Sequence, residues 1–155
     1  MADDVPPHQR RVRYTGTHPR RFAEKYKELD PAAHADELRK VLARDDARQA
    51  ATADRAIAKG AWVSHLVLAE AVWVLDAVYA RTAKQLIAAL DLLLAHETLV
   101  LQDADVVACA LAQFRARPAL GFSECLVLEI ARKAGHLPLA TFDKVLGKLT
   151  GAQKL

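Results

Sequence analysis

Three acids in this chain stand where a carboxylate could do chemistry. Glu70 lies in VSHLVLAEAVWVL, residues 63–75, with Leu66 and Val67 one turn before it and Trp73 and Val74 one turn after, so every i±3 and i±4 neighbour is apolar. It has no helical salt-bridge partner. A buried ionised carboxylate is costly unless paired or bound to a cation, so Glu70 must reach a cleft, take a proton or hold a metal. Asp143 directly follows PLATF, at the carboxyl end of a strand, where α/β folds keep their ligands. Glu124 falls in the first turn of the helix expected over GFSECLVLEIARKAG, where backbone N–H groups and the helix dipole favour an anion. Each acid also has a plainer role available: Glu70 as a half-exposed residue at a helix rim, Asp143 as the cap of the turn DKVLGKL, Glu124 as an ordinary first-turn acid. Taken together, three acids at element termini of one α/β domain would repel one another without a hard cation to hold them.

The elements that must position these acids follow from capping and periodicity. Trp62-Val63 is a short strand candidate, and Ser64 caps a helix running to about Tyr79. Thr82 to Ala95 reads as a further helix, with Leu86, Ile87, Leu90, Leu93 and Leu94 on its apolar face. Thr98 to Leu101 is a buried strand. Asp103 then caps a helix through Phe114 that Pro118 stops, and Ser123 caps another that ends at Gly135. Pro138 to Phe142 forms the last strand. Strands spaced by helices imply parallel pairing and an α/β sandwich.

Composition sets the wider frame. The 155 residues are 52% hydrophobic, ample for one packed core. A formal charge of +3 permits an anionic partner such as RNA without demanding one. Residues 1–21 hold Pro6, Pro7, Gly16 and Pro19 among five arginines, too few apolar groups to offset the entropy of ordering, and read as a flexible basic arm. Residues 22–58 read as a helical N-terminal extension, and 59–155 as the α/β domain. Cys109 and Cys125 sit in apolar helical patterns without C-x-x-C spacing and are expected as buried free thiols. The polar N-terminus lacks an apolar signal segment, and no stretch approaches the length of a membrane span, so the expectation is a soluble, cytoplasmic protein with no membrane partner.

The blocks VSHLVLAEAVWVLDAVY, TLVLQDADVVACALAQF and GFSECLVLEIARKAGHLPLATFDKVLGKL, in this order and spacing, resemble those of a PIN-domain ribonuclease of the VapC toxin type, over residues 42–155. The resemblance implies a PIN-like three-layer sandwich with a short parallel sheet. It also implies an endoribonuclease in which acids from separate elements bind Mg2+ or Mn2+ and activate water for attack on an RNA phosphodiester. On that analogy Glu70, Glu124 and Asp143 are the catalytic and metal-binding acids, with Thr141 a polar neighbour of Asp143. Arg81, Lys84, Arg132 and Lys133 are then candidate RNA phosphate contacts. PIN toxins resemble dimers that pair with an antitoxin, so the expected partners are RNA, a second copy, and an antitoxin or a full-length PIN toxin. The apolar helices around Trp62, Trp73, Leu93 and Leu94 would supply that surface, although core packing is the default for all four.

Two departures from the family pattern bear on activity. The first central strand, which ends in an Asp, has no counterpart: the corresponding HADELRKVL, residues 34–42, offers Asp36 but has helical charge spacing and is too polar for the middle of a parallel sheet. Glu124 replaces the usual Asp, which displaces the carboxylate by about one carbon–carbon bond, ~1.5 Å. The expectation is a weak or lost nuclease, or a non-catalytic PIN-like binding module. Residues 13–44, RYTGTHPRRFAEKYKELDPAAHADELRKVLAR, resemble instead the N-terminal lead-in of small-subunit rRNA cytosine methyltransferases of the MraW type. None of that family's cofactor-binding domain follows, so the chain reads as a junction and no methyl transfer is implied.

Overall fold

The structure, a computed structural model, describes residues 46–155. The basic arm, the methyltransferase-like lead-in and most of the N-terminal extension lie outside the described residues. The fold is α/β and helix-rich, with short parallel sheets. Helix α1, Ala47–Ala58, starts where the Asp46 carboxylate accepts the N–H groups of Arg48 and Gln49, both at 2.9 Å. It buries Ala50, Ala53 and Ile57. Strand β1, Ala61–Val63, then enters the core and turns into α2, His65–Ala77, whose first turn is capped by the Ser64 hydroxyl. Helix α3, Ala83–Leu94, opens on a reciprocal capping box: the Thr82 hydroxyl accepts the Gln85 N–H while the Gln85 side chain accepts the Thr82 N–H. Strand β2, Leu99–Leu101, lies parallel to β1, with Trp62 opposite Val100.

Helices α4, Ala104–Ala116, and α5, Phe122–Lys133, form the most extensive helix pair among the described residues. A 3₁₀ turn at Pro118–Leu120 reverses the chain between them. Phe114 and Phe122 close that turn edge to face, ring centroids 6.3 Å apart, a geometry that adds roughly 0.5–1.5 kcal/mol to burial alone. Gly121 links the turn to α5 at φ 74, a backbone that L side chains rarely adopt. At the far end, Gly135 donates to the Arg132 carbonyl and His136 to that of Ala131, the paired bonds of a Schellman stop. Strand β3, Leu139–Thr141, follows and pairs in parallel with β4, Ala152–Lys154, the two joined by a 3₁₀ turn at Leu146–Lys148.

Several expectations need correction. Among the described residues the strands make two separate two-stranded sheets, not one. β4 was absent from the expected elements because Ala-Gln-Lys has no apolar alternation, and only pairing with β3 makes it a strand. Ser123 does not cap α5: it lies inside the first turn, and Gly121 occupies the cap position without a side chain to accept from the first-turn N–H groups. Asp103 occupies the cap position of α4, but in the left-handed region at φ 44 and without a capping bond. Of the expected surface residues, Leu93 is core, Trp62 and Leu94 are half-buried and Trp73 is exposed. Among the described residues no helix is long and apolar enough to cross a membrane.

The cysteines divide. Cys125 is buried in α5, whereas Cys109, expected to be buried, faces outward from α4. Burial, reinforced by the charges of Glu124 and Glu129, pushes the Cys125 thiol up to about 11. A disulfide reagent is therefore expected to titrate Cys109 in the native protein and Cys125 only after denaturation. Two thiols reacting at one rate in native buffer would show that α5 opens.

Candidate functional site

The three acids singled out by position are all exposed, and each is placed by its own element. Glu70 is on the side of α2 away from the core, since Leu68, Ala71, Val72 and Leu75 take the inward positions. Its stripe is Leu66, Glu70 and Trp73, spaced i, i+4, i+7. It therefore escapes the burial cost that motivated a bound cation. Glu124 is in the first turn of α5, where its carboxylate folds back over Gly121: a methyl group built at that glycine would stand 2.6 Å from Oε2. Glycine at 121 thus leaves the room that the longer Glu124 side chain occupies. Asp143 follows β3, and its Oδ1 accepts the N–H groups of Val145, at 2.7 Å, and Leu146, at 2.6 Å. The Thr141 hydroxyl accepts the Asp143 N–H at 3.0 Å. Asp143 and Thr141 thereby hold the turn into the 3₁₀ segment.

A Mg2+ or Mn2+ ion needs several oxygen ligands converging within about 2–2.6 Å of one point. Among the described residues no three of His, Cys, Asp and Glu come together so as to hold a metal ion. Glu70, Glu124 and Asp143 do not fit such an ion by themselves, and no chemical step through one follows from their arrangement.

The basic candidates are likewise occupied, with two exceptions. Arg132 Nε donates to Glu129 at 3.2 Å, and its Nη2 donates to the Thr150 carbonyl at 2.6 Å, tying α5 to the segment before β4. Lys133 Nζ bridges Asp103 at 2.9 Å and Asp105 at 2.7 Å, across to the start of α4. The hydrogen bond from Lys133 holds the Asp105 carboxyl below its usual range, and Asp105, then Asp103, raise the Lys133 ammonium above its own. These exposed pairs contribute little stability, ~0–1 kcal/mol. Asp103, held in the left-handed region, gives its side chain to Lys133 and makes no capping bond to α4. Lys84 is exposed on α3, and Arg81 is half-buried after α2.

Two features escaped the reading of the sequence. Glu129 is the single buried charged residue among those described, at 6% exposure. It accepts Gln113 Nε2 at 2.9 Å and pairs with Arg132. Its position was detectable, because Glu129 lies seven residues after Phe122, four after Cys125 and three after Leu126, all buried on one face of α5. The second is His65, at the carboxyl end of β1: its backbone N–H reaches Gln102 Oε1 at 3.0 Å, while Nε2 is buried with no hydrogen-bond partner. Sequence pattern carries no signal for an orphaned ring nitrogen.

Comparison with known proteins adds a result confined to the N-terminal region. A 34-residue stretch is 65% identical to ribosomal RNA small subunit methyltransferase H 2 of Alkaliphilus metalliredigens, covering 22% of this chain and 10% of that protein. A 37-residue stretch is 57% identical to ribosomal RNA small subunit methyltransferase H 1 of Lachnoclostridium phytofermentans, covering 24% of this chain and 10% of that one. The chain thus spans about a tenth of the length of the curated relatives it matches. These matches bear out the lead-in resemblance of the N-terminal region and do not reach the PIN resemblance. No protein-family profile matches the chain, and no solved structure matches it.

The Glu129 network makes a direct prediction. Glu129→Ala leaves Gln113 and Arg132 without their acceptor, and a loss of about 2 kcal/mol in urea denaturation is expected. Glu129→Gln, which can still accept from Gln113, should lose less. Equal midpoints for all three proteins would show that the buried carboxylate contributes nothing to stability.

Proposed function

We propose that this chain is a PIN-like binding module that works by pairing α2 with another PIN-type chain, in the first instance a second copy of itself. The supporting observation is the exposed stripe on α2: Leu66 is 76% and Trp73 61% exposed, on a helix whose remaining turns are almost wholly apolar. Helices apolar on all sides are ordinarily buried on all sides. Covering two such side chains returns roughly 25 cal/mol for each Å2 of apolar surface removed from water. Glu70, the lone acid in the stripe, would set the register of the pair, as single polar groups do in helix–helix seams. A full-length PIN toxin or an antitoxin meeting the same stripe would be held by the same forces. The module is expected to sediment as a dimer and to become monomeric, with unchanged helicity, on Leu66→Glu with Trp73→Glu. Identical sedimentation of wild type and double variant would remove the reading.

Metal-dependent RNA cleavage is a second reading. In its favour, Asp143 stands at the carboxyl end of a parallel strand, the edge where α/β folds keep their ligands. Cleavage of a generic RNA, titrated with Mg2+ and with Mn2+, is expected to be weak and to vanish in Asp143→Ala. Robust cleavage that survives this substitution would take Asp143 out of any mechanism.

A further inference from the structure

We propose that the groove between α3 and the end of α2 binds a small amphiphilic anion, an apolar chain or ring system bearing one carboxylate, with Arg81 receiving the carboxylate. The groove has a volume of 560 Å3, inside the range of about 300–1,000 Å3 typical of small-ligand sites. Its floor is apolar: Leu75, Leu86 and Leu93 are core residues. Leu92 stands on its flank at 68% exposure, a large apolar side chain facing water beside an apolar trough. On α2, Leu75 is nine residues beyond Leu66, which puts it half a turn from the Leu66–Trp73 stripe. The groove is thus separate from the surface argued above and does not depend on it.

Charge gives the groove a direction. Arg81 lines one end, half-buried and with no counter-ion among the described residues, and its backbone N–H is fixed to the Leu75 carbonyl at 3.0 Å. Gln85, one turn along, uses Oε1 to accept from Thr82 at 2.9 Å, which leaves its amide NH2 to donate. A partly desolvated guanidinium with an amide donor beside it is a carboxylate receptor. From Gln85 to Leu93 the groove follows α3 for about 12 Å, past the small side chains of Ala88 and Ala89. At the far end Asp54 and His96 line both this groove and an adjoining hollow that includes Glu97. An anionic head therefore belongs at the Arg81 end and an uncharged tail along α3, and a second carboxylate on the tail would approach Glu97. This assigns Arg81 to a ligand other than the RNA backbone.

Calorimetric titration of the full chain with dodecanoate, dodecanol and acetate tests the proposal, with circular dichroism confirming that each variant is folded. Dodecanoate is expected to bind, dodecanol to bind about tenfold more weakly, and acetate not to bind measurably. Arg81→Gln should weaken dodecanoate about tenfold and leave dodecanol unchanged, Arg81→Lys should restore part of the loss, and Ala89→Trp should fill the trough and abolish both. Equal binding of dodecanoate and dodecanol, indifferent to Arg81→Gln, would overturn the assignment of the head group. Dodecanoate binding that survives both Ala89→Trp and Ala88→Trp would place the ligand elsewhere and overturn the site. Displacement of dodecanoate by a short polyuridylate in an Arg81-dependent manner would return Arg81 to nucleic acid and also count against it.

Discussion

The burial of α5 is the constraint on which the rest of the described structure depends. Phe122, Cys125, Leu126 and Leu128 leave almost no surface in water, and α5 packs against both α4 and α2. That packing fixes where the two ends of the helix lie. Its start holds Glu124 over Gly121, and its end points β3 toward β4. The strands are only three residues long, so few ladder bonds are available to organise the molecule, and side-chain burial between helices must do it instead. Burial of this kind is worth several kcal/mol, since deleting a single large core side chain typically costs about 2–5 kcal/mol.

Electrostatics follow from the same helix. Glu129 sits on the buried face of α5 and is tolerated because Gln113 and Arg132 reach it. Arg132 and Lys133, the next residues on the helix to carry charge, are then turned toward Thr150 and toward Asp103 and Asp105. Side chains that a charge count would offer to an anionic partner are instead spent joining α5 to its neighbours. The acids behave similarly: Asp143 is engaged by two backbone N–H groups, and Asp103 by a lysine. Three of the seven charged groups considered for chemistry, Asp143, Arg132 and Lys133, thus serve local connections. Arg81, half-buried against an apolar trough, is the contrasting case.

The helix α2 poses the opposite problem. Its sequence is apolar around nearly the whole circumference, but the described fold has neighbours for only part of that circumference. One side meets the core and α5, and Leu66 and Trp73 remain in water. Such surplus apolar surface is the usual mark of an interaction face. Glu70, exposed between them, needs no metal to justify its charge.

Helix boundaries were legible because they rest on local chemistry. Ser64, Thr82 and Gly135 act on backbone groups within a few residues, so spacing alone locates them. The apolar period of α3 likewise marked Leu86, Leu90 and Leu93 as inward-facing. The N-terminal resemblance to methyltransferases was legible for another reason, 65% identity over a continuous stretch of 34 residues. What the linear order of residues does not contain is who meets whom across the chain. Lys133 is 30 residues from Asp103, and no local pattern announces their contact. β4 exists only through β3, and Glu70, Glu124 and Asp143 are kept on separate structures by the packing of α2, α5 and the β3 turn. Local rules act through bonds of short sequence separation and can be read one residue at a time; convergence of distant side chains depends on how helices pack, which only the folded chain resolves.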